Sequence, residues 1–198
     1  MISVYKLKPA FQRLLTPLMR GLRRFGVTPN HLSFLAIVLS GFMGYALWKS
    51  TATNWYLLLV PLGLLLRMAL NAMDGMMATQ FDLKTTWGEI LNEFGDMISD
   101  IFIILPMFAL PGIEWWMAVV FTLLALLNES AGILAKAISG TRRYDGPMGK
   151  SDRALFVSLL AITYYFYPEI SAIVQYIFMV VTLLILISTS IRLKKSVL

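Results

Sequence analysis

The stretch from Arg67 to Asp100 reads RMALNAMDGMMATQFDLKTTWGEILNEFGDMISD. It holds Asp74, Asp82, Glu89, Glu93, Asp96 and Asp100, out of 11 acidic residues in the whole chain. Long apolar runs flank it on both sides. An ionisable side chain inside a bilayer costs about 2.5–3.5 kcal/mol on insertion scales, so several close together call for a function. This stretch is therefore the expected active site, and the fold is read around it.

Helical spacing arranges the polar residues into faces. Asn71 and Asp74 stand at i, i+3, so they share one face of the helix before the 80–85 loop. Asn92, Asp96 and Asp100 stand at i, i+4, i+8 and form a stripe on the helix after it. A loop this short makes the two helices antiparallel neighbours. Facing stripes of oxygen donors with carboxylates among them suit a hard cation such as Mg²⁺ or Mn²⁺. Two such ions can clamp a diphosphate and stabilise the entering and leaving oxygens. Gly75 and Gly88 leave room for a ligand or backbone to come close. Polar glue between helices is the plainer alternative, but it ordinarily needs one or two residues. Here five sit on two facing stripes, with Glu89 and Glu93 beside them.

Composition sets the wider frame. The chain has 198 residues, 58% hydrophobic and 14% charged, with mean hydropathy +0.73. Soluble domains run near 45–50% apolar and about 25% charged, so a polytopic membrane protein is expected. There is no Cys, which removes disulfides and thiol chemistry. The net charge is +6, but the basic residues lie in short flanks between apolar runs, which points to a membrane surface and not to nucleic acid. The first long apolar run starts near His31, so no cleavable signal peptide is expected. No internal repeat stands out.

Six apolar runs approach the ~20 residues that a span requires: 31–49, 55–79, 86–110, 113–138, 152–167 and 169–191. The fifth is short and starts earlier or tilts. Pro111-Gly112 and Tyr167-Pro168 mark tight turns. Ahead of the spans, Val4, Leu7, Phe11, Leu14, Leu15, Leu18, Leu22 and Phe25 repeat at helical spacing, with Lys6, Lys8, Arg13, Arg20, Arg23 and Arg24 between them. This predicts an amphipathic helix lying in the membrane interface, with Pro9 and Pro17 as places for a kink. The expected architecture is all-α. One domain covers 1–198, with an interfacial helix over 1–26 and a six-helix bundle over 27–198.

Lys and Arg concentrate in the N-terminal flank, the 80–85 loop, the 136–153 region and the C-terminal Arg192, Lys194 and Lys195. The positive-inside rule then puts both termini and the polar stretch on the cytoplasmic side, which agrees with an even number of spans. Trp48, Trp55, Trp115 and Trp116 fall at the outer interfaces. Small size and short loops suggest a bacterial inner membrane.

Other polar residues have two readings each. In SGTRRYDGPMGKSDR (139–153), Arg142, Arg143, Lys150 and Arg153 sit among glycines beside the expected site. They suit phosphate capture, from a phosphorylated acceptor or a diphosphate donor; topology alone also explains them. Arg67, one turn before Asn71, reads as a counter-charge to the acids or as a phosphate contact. Asn128 and Glu129 read as a bond across helices or as pocket lining. His31, the only His, reads as an interfacial residue.

The spacing then becomes specific. Asn71-x2-Asp74-Gly75-x2-Ala78-Thr79, eight residues, Gly88-x3-Asn92-x3-Asp96 resembles the pattern D-x2-D-G-x2-A-R-x8-G-x3-D-x3-D of the CDP-alcohol phosphatidyltransferase family. Every spacing agrees. Three identities differ: Asn71 and Asn92 replace Asp, and Thr79 replaces Arg. The element Thr28-Pro29-Asn30-His31-Leu32-Ser33 is similar to the family's loop before its first span. So is the plan of six spans behind an interfacial helix.

The resemblance implies transfer of a phosphatidyl or similar substituted phosphoryl group from a CDP-linked lipid, such as CDP-diacylglycerol, to an alcohol, with release of CMP. It implies phospholipid biosynthesis as the setting. It puts Asn71, Asp74, Asn92 and Asp96 around two Mg²⁺ or Mn²⁺ ions, with Asp96 as general base. The Asn30, Gly75, Thr79, Thr85 and Gly88 positions fall in the nucleotide-binding set. Homodimers are the family's habit.

The departures bear on activity. Asn keeps a carbonyl ligand but loses a charge, so two Asp→Asn differences weaken the hold on divalent cations. Asp100, and Glu89 or Glu93, are placed to restore that charge, which adds Asp100 to the expected ligands. Two rivals follow. One is a family member that binds CDP-lipid without turnover. The other is a small cation- or proton-coupled transporter, since intramembrane acids also serve relays.

Overall fold

A computed structural model describes residues 8–197. Val4, Lys6 and Leu7 of the expected interfacial helix lie outside the described residues. The described chain is all-helical: α1 (Lys8–Arg24), α2 (Pro29–Lys49), α3 (Tyr56–Gln80), α4 (Thr86–Ile104), α5 (Trp115–Ser139), α6 (Lys150–Phe166) and α7 (Val174–Ser196). Short 3-10 turns over Leu105–Ala109 and Pro168–Ala172 follow α4 and α6. The helices α2, α3, α5 and α7 are long and apolar enough to cross a membrane. The four acids of α4 keep it outside that description, and α6, at 17 residues, is too short for it.

Local signals explain the boundaries. Thr28 caps α2: its hydroxyl accepts from the His31 backbone N–H at 3.4 Å, and the His31 Nδ1 accepts from the Thr28 N–H at 3.3 Å. Pro29 occupies the first turn, where its missing N–H costs nothing. The helix therefore starts two residues before the apolar run, and His31 is spent on the cap. Thr85 caps α4 by accepting from the Gly88 N–H at 2.9 Å. In α1, Pro9 sits in the first turn and Pro17 lies within a continuous helix. Gly140 ends α5 in the left-handed conformation at φ 75°, which glycine adopts without strain.

Packing follows small residues. Helix α2 is the central element, packed against both α3 and α4. Its Ser33, Ala36, Ser40, Gly41 and Gly44 let both helices come close. A side chain at Gly44 would run into the Phe102 backbone of α4, and one at Gly63 of α3 into Met43. The expectation that α3 and α4 pack on each other is therefore corrected. Both lie on α2, and α3 meets α4 through side chains, Asn71 on Asp96 and Arg67 on Asp100. Further pairings are α5 with α7, α3 with α6, α1 with α3, and α4 with α5.

A large apolar core gathers Leu57, Val60 and Leu64 of α3, Ile103 and Ile104 of α4, Phe121 of α5, Leu160 of α6, and Phe178 and Ile185 of α7. A smaller one joins Leu15 and Met19 of α1 to Leu32, Leu70, Met73 and Met77. In α3 to α7 the large core takes the half of each helix far from the 80–85 and 140–149 loops. Between that core and the loops lie the buried polar residues Arg67, Asp74, Asp96, Asp100, Asn128, Glu129, Arg153 and Arg192. Trp48, Trp55, Trp115 and Trp116 are exposed at the far end.

Candidate active site

The near end opens into a cavity of about 390 Å³ lined by Pro29, Asn30, Ser33, Asp74, Gly75, Ala78, Leu83, Lys84, Thr85, Thr86, Gly88, Glu89 and Asn92. The start of α2 supplies one wall, the end of α3 another, and the first turns of α4 the third. Gly88 is constrained here: a Cβ would lie 2.9 Å from the Asn30 side-chain oxygen and 3.0 Å from the Thr85 hydroxyl. Gly88→Ala is expected to displace Asn30 or uncap α4, at about 0.5–2 kcal/mol for the lost cap. Thermal unfolding and CDP titration of the purified variant check this, and weaker nucleotide binding is the expected sign.

Asp74 is buried, and its two oxygens take the Ser33 hydroxyl at 2.7 Å and the Gly75 N–H at 2.5 Å. Asp96 faces it from α4. Its Oδ1 accepts from the Asn71 amide at 3.2 Å, contacts the Lys150 ammonium, and lies 3.9 Å from the Arg67 guanidinium. Asn71 and Asp96 thus meet between α3 and α4, while Asp74 and Asn92 share the cavity lining. The donors of these four are all oxygens of the hard type that Mg²⁺ and Mn²⁺ prefer. Only two are carboxylates, and among the described residues no group of three His, Cys, Asp or Glu is arranged for a metal. The donor set fits a divalent ion by type, with less charge than the family pattern provides.

Asp100 is placed elsewhere. Its Oδ1 takes Arg67 at 3.3 Å, and its Oδ2 takes the Arg153 Nη2 at 2.6 Å and Nε at 3.2 Å. Both oxygens are engaged by guanidiniums, so the expected role in restoring metal charge is corrected to a buried ion pair. Asp100→Asn is expected to leave Mn²⁺ affinity within about threefold while lowering thermal stability, because it strands two arginine partners. Isothermal titration and melting of one preparation separate the two effects.

Arg153 is the hub of that network. It is 2% exposed and also reaches Glu129 at 2.7 Å and the Met148 carbonyl at 3.0 Å. Arg142 bridges Glu129, at 2.8 Å, and Glu93. Arg192 donates to the Asn128 carbonyl at 2.7 Å and lies 3.9 Å from Glu129. Asn128 bonds Thr189 at 3.1 Å, so the Asn128–Glu129 pair ties helices together. Arg143 reaches the Lys195 carbonyl at 3.2 Å. Lys195 in turn pairs with Asp145 and holds its carboxyl below the usual range. Of the four basic residues of 139–153, Lys150 alone reaches the Asp96 carboxylate directly. Thr79 is exposed near the end of α3 and is not among the cavity's lining residues. Arg192 is the functional-end residue that loop charge counting misassigns. Its signal is the stripe Val174, Phe178, Val181, Ile185, Ser188 and Arg192 on one buried face of α7.

A family model described as CDP-alcohol phosphatidyltransferase matches residues 26–188. The chain belongs to the CDP-alcohol phosphatidyltransferase family. The expected enzyme class is thus the family's own, and the chain is a transferase of phospholipid biosynthesis. It is 42% identical over 168 residues to the inner membrane protein YnbA of Escherichia coli (strain K12), covering 85% of this chain and 83% of that one. With its four span-length apolar helices, this makes it a membrane protein. A phosphatidylinositol phosphate synthase of Mycobacterium tuberculosis (strain ATCC 25618 / H37Rv) is 28% identical over 167 residues, covering 76% of this chain and 70% of the synthase. A crystal structure of the M. tuberculosis synthase with CDP-DAG bound superposes with TM-score 0.74 at 20% identity, over 93% of this chain and 94% of that one. A second, in complex with manganese and citrate, also gives 0.74 at 20%, over 91% and 88%. At that identity the two structures bear on the fold of this CDP-alcohol phosphatidyltransferase and not on its substrates.

Proposed function

We propose that this chain transfers a phosphatidyl group from CDP-diacylglycerol or a similar CDP-lipid to an alcohol and releases CMP. The observation that carries the reading is the cavity bounded by Asn30, Asp74, Gly75, Thr85, Gly88 and Asn92, with Asp96 one turn past Asn92 on α4. In this reading the nucleotide seats between the α2 and α4 N-termini, where glycines leave space and N–H groups favour anions.

The alcohol oxygen bonds to the phosphatidyl phosphorus, the anhydride P–O bond to CMP breaks, and the hydroxyl proton goes to the Asp96 carboxylate. General bases of this kind contribute about 10²–10⁴-fold. Asn71, Asp74, Asn92 and Asp96 would hold Mg²⁺ or Mn²⁺, which supplies charge neutralisation at the diphosphate. Two ions are expected from the family pattern, and two carboxylates support one more readily than two. Lys150, on Asp96, supplies a protein cation beside the same group.

Six spans form part of this reading, with α4 and α6 crossing the membrane and α1 in the interface. The exposed Leu14 and Leu18 of α1, and Phe25 directly after it, beside Arg13, Arg20 and Arg24 support the last. Cytoplasmic termini and site, a bacterial inner membrane and a homodimer complete it; the inner-membrane relative supports the membrane. Titrating CDP into the purified protein with Mn²⁺ tests the cavity's role. Saturable binding that Asp74→Ala weakens is expected, and no binding contradicts it.

A further inference from the structure

Three guanidiniums beside the site are matched by acids from within, while Arg143 donates to the Lys195 carbonyl. Arg153 faces Asp100 and Glu129, Arg142 faces Glu129 and Glu93, and Arg192 sits beside Glu129. Glu129 is 3% exposed, so three guanidiniums share one buried carboxylate. A phosphate can reach them only by displacing Glu129 or by bringing two further negative charges beside it. Either step strands a buried charge or opposes like charges.

Of the side-chain atoms buried without a hydrogen-bond partner, the Nε of Arg67, Arg142 and Arg143 and one Glu93 carboxylate oxygen, those of Arg142 and Glu93 belong to one ion pair. One is a donor and the other an acceptor, on two side chains already in contact. A hydroxyl group both donates and accepts, and so satisfies the two together. Glu93 stands one turn before Asp96 on α4. A molecule with one hydroxyl at Asp96 and another at Glu93 and Arg142 spans that turn.

Resting on the function proposed above, we infer that the acceptor is an uncharged polyol and that Glu129 excludes phosphorylated alcohols. The acceptor's second hydroxyl binds between Glu93 and Arg142.

The test uses purified full-length protein with Mn²⁺ and CDP-diacylglycerol. CMP release is measured with glycerol and inositol against glycerol 3-phosphate and inositol 1-phosphate, for the wild type, Glu129→Gln and Glu93→Gln. The wild type is expected to favour the neutral polyol by at least about tenfold, the scale of a stranded charge or hydrogen bond. Glu129→Gln moves the ratio toward the phosphorylated alcohol by about the same factor, and Glu93→Gln raises KM for the polyol more than it lowers kcat. A wild type that prefers a phosphorylated alcohol overturns the inference, and so does an unchanged ratio in folded Glu129→Gln. If no alcohol releases CMP, the reading of the function fails, and glycerol 3-phosphate binding decides the inference alone. Saturable binding by Glu129→Gln and not by the wild type supports it. Binding by both proteins or by neither overturns it. If Glu129→Gln does not fold, the wild-type preference and the Glu93→Gln KM decide.

Discussion

Asp96→Asn is expected to lower CMP release by about 10²–10⁴-fold, the range that a positioned general base supplies. The substitution keeps the shape of the side chain and one carbonyl oxygen, but removes the charge that accepts the alcohol's proton. It also leaves the Lys150 ammonium without its carboxylate. The loss belongs in kcat more than in KM, because proton transfer develops only in the transition state. Steady-state CMP release, alongside a melting curve that excludes unfolding, measures it. A variant retaining more than about a tenth of the activity, well above that range, would remove Asp96 from the base's role.

Arg153→Ala carries the largest expected effect on stability. Arg153 is fully enclosed and bonds the carboxylates of α4 and α5 from α6. Truncating it leaves Asp100 and Glu129 buried with reduced pairing, a class of change that costs about 3–5 kcal/mol. Arg153→Lys recovers only part, because one ammonium does not reproduce the fork that meets both acids and the Met148 carbonyl. Thermal unfolding in detergent checks the order wild type, Lys, Ala. If Arg153→Ala melts with the wild type, the network is not what ties these helices together.

Much of the site was legible because helical spacing is rigid. Asn71 meets Asp96 between α3 and α4, and Asp74 and Asn92 share the cavity lining. Thr85 and Asn30 meet across Gly88 because each lies in the first turns of a helix whose start has a recognisable cap.

What spacing on one helix leaves open is which helix lies between two others. The short 80–85 loop points to direct packing of α3 on α4. The small residues of α2 decide otherwise by letting both helices close on it. Charge sign likewise leaves the partner open. Arg153 and Asp100 share the helix spacing of ligands or phosphate contacts, yet they satisfy one another across α4 and α6. A pair formed by residues fifty-three positions apart has no local signature. Arg192 was hidden for a simpler reason: a basic residue near the end of an apolar helix satisfies the positive-inside rule whether or not it turns inward.

The central claim is tested most directly by CMP release from CDP-diacylglycerol, with purified protein, Mn²⁺ or Mg²⁺ and a panel of alcohols. Metal-dependent CMP release that requires one alcohol is the predicted result. CDP-lipid binding with no CMP release from any alcohol would contradict it, and would make Asn71 and Asn92 the residues that ended turnover.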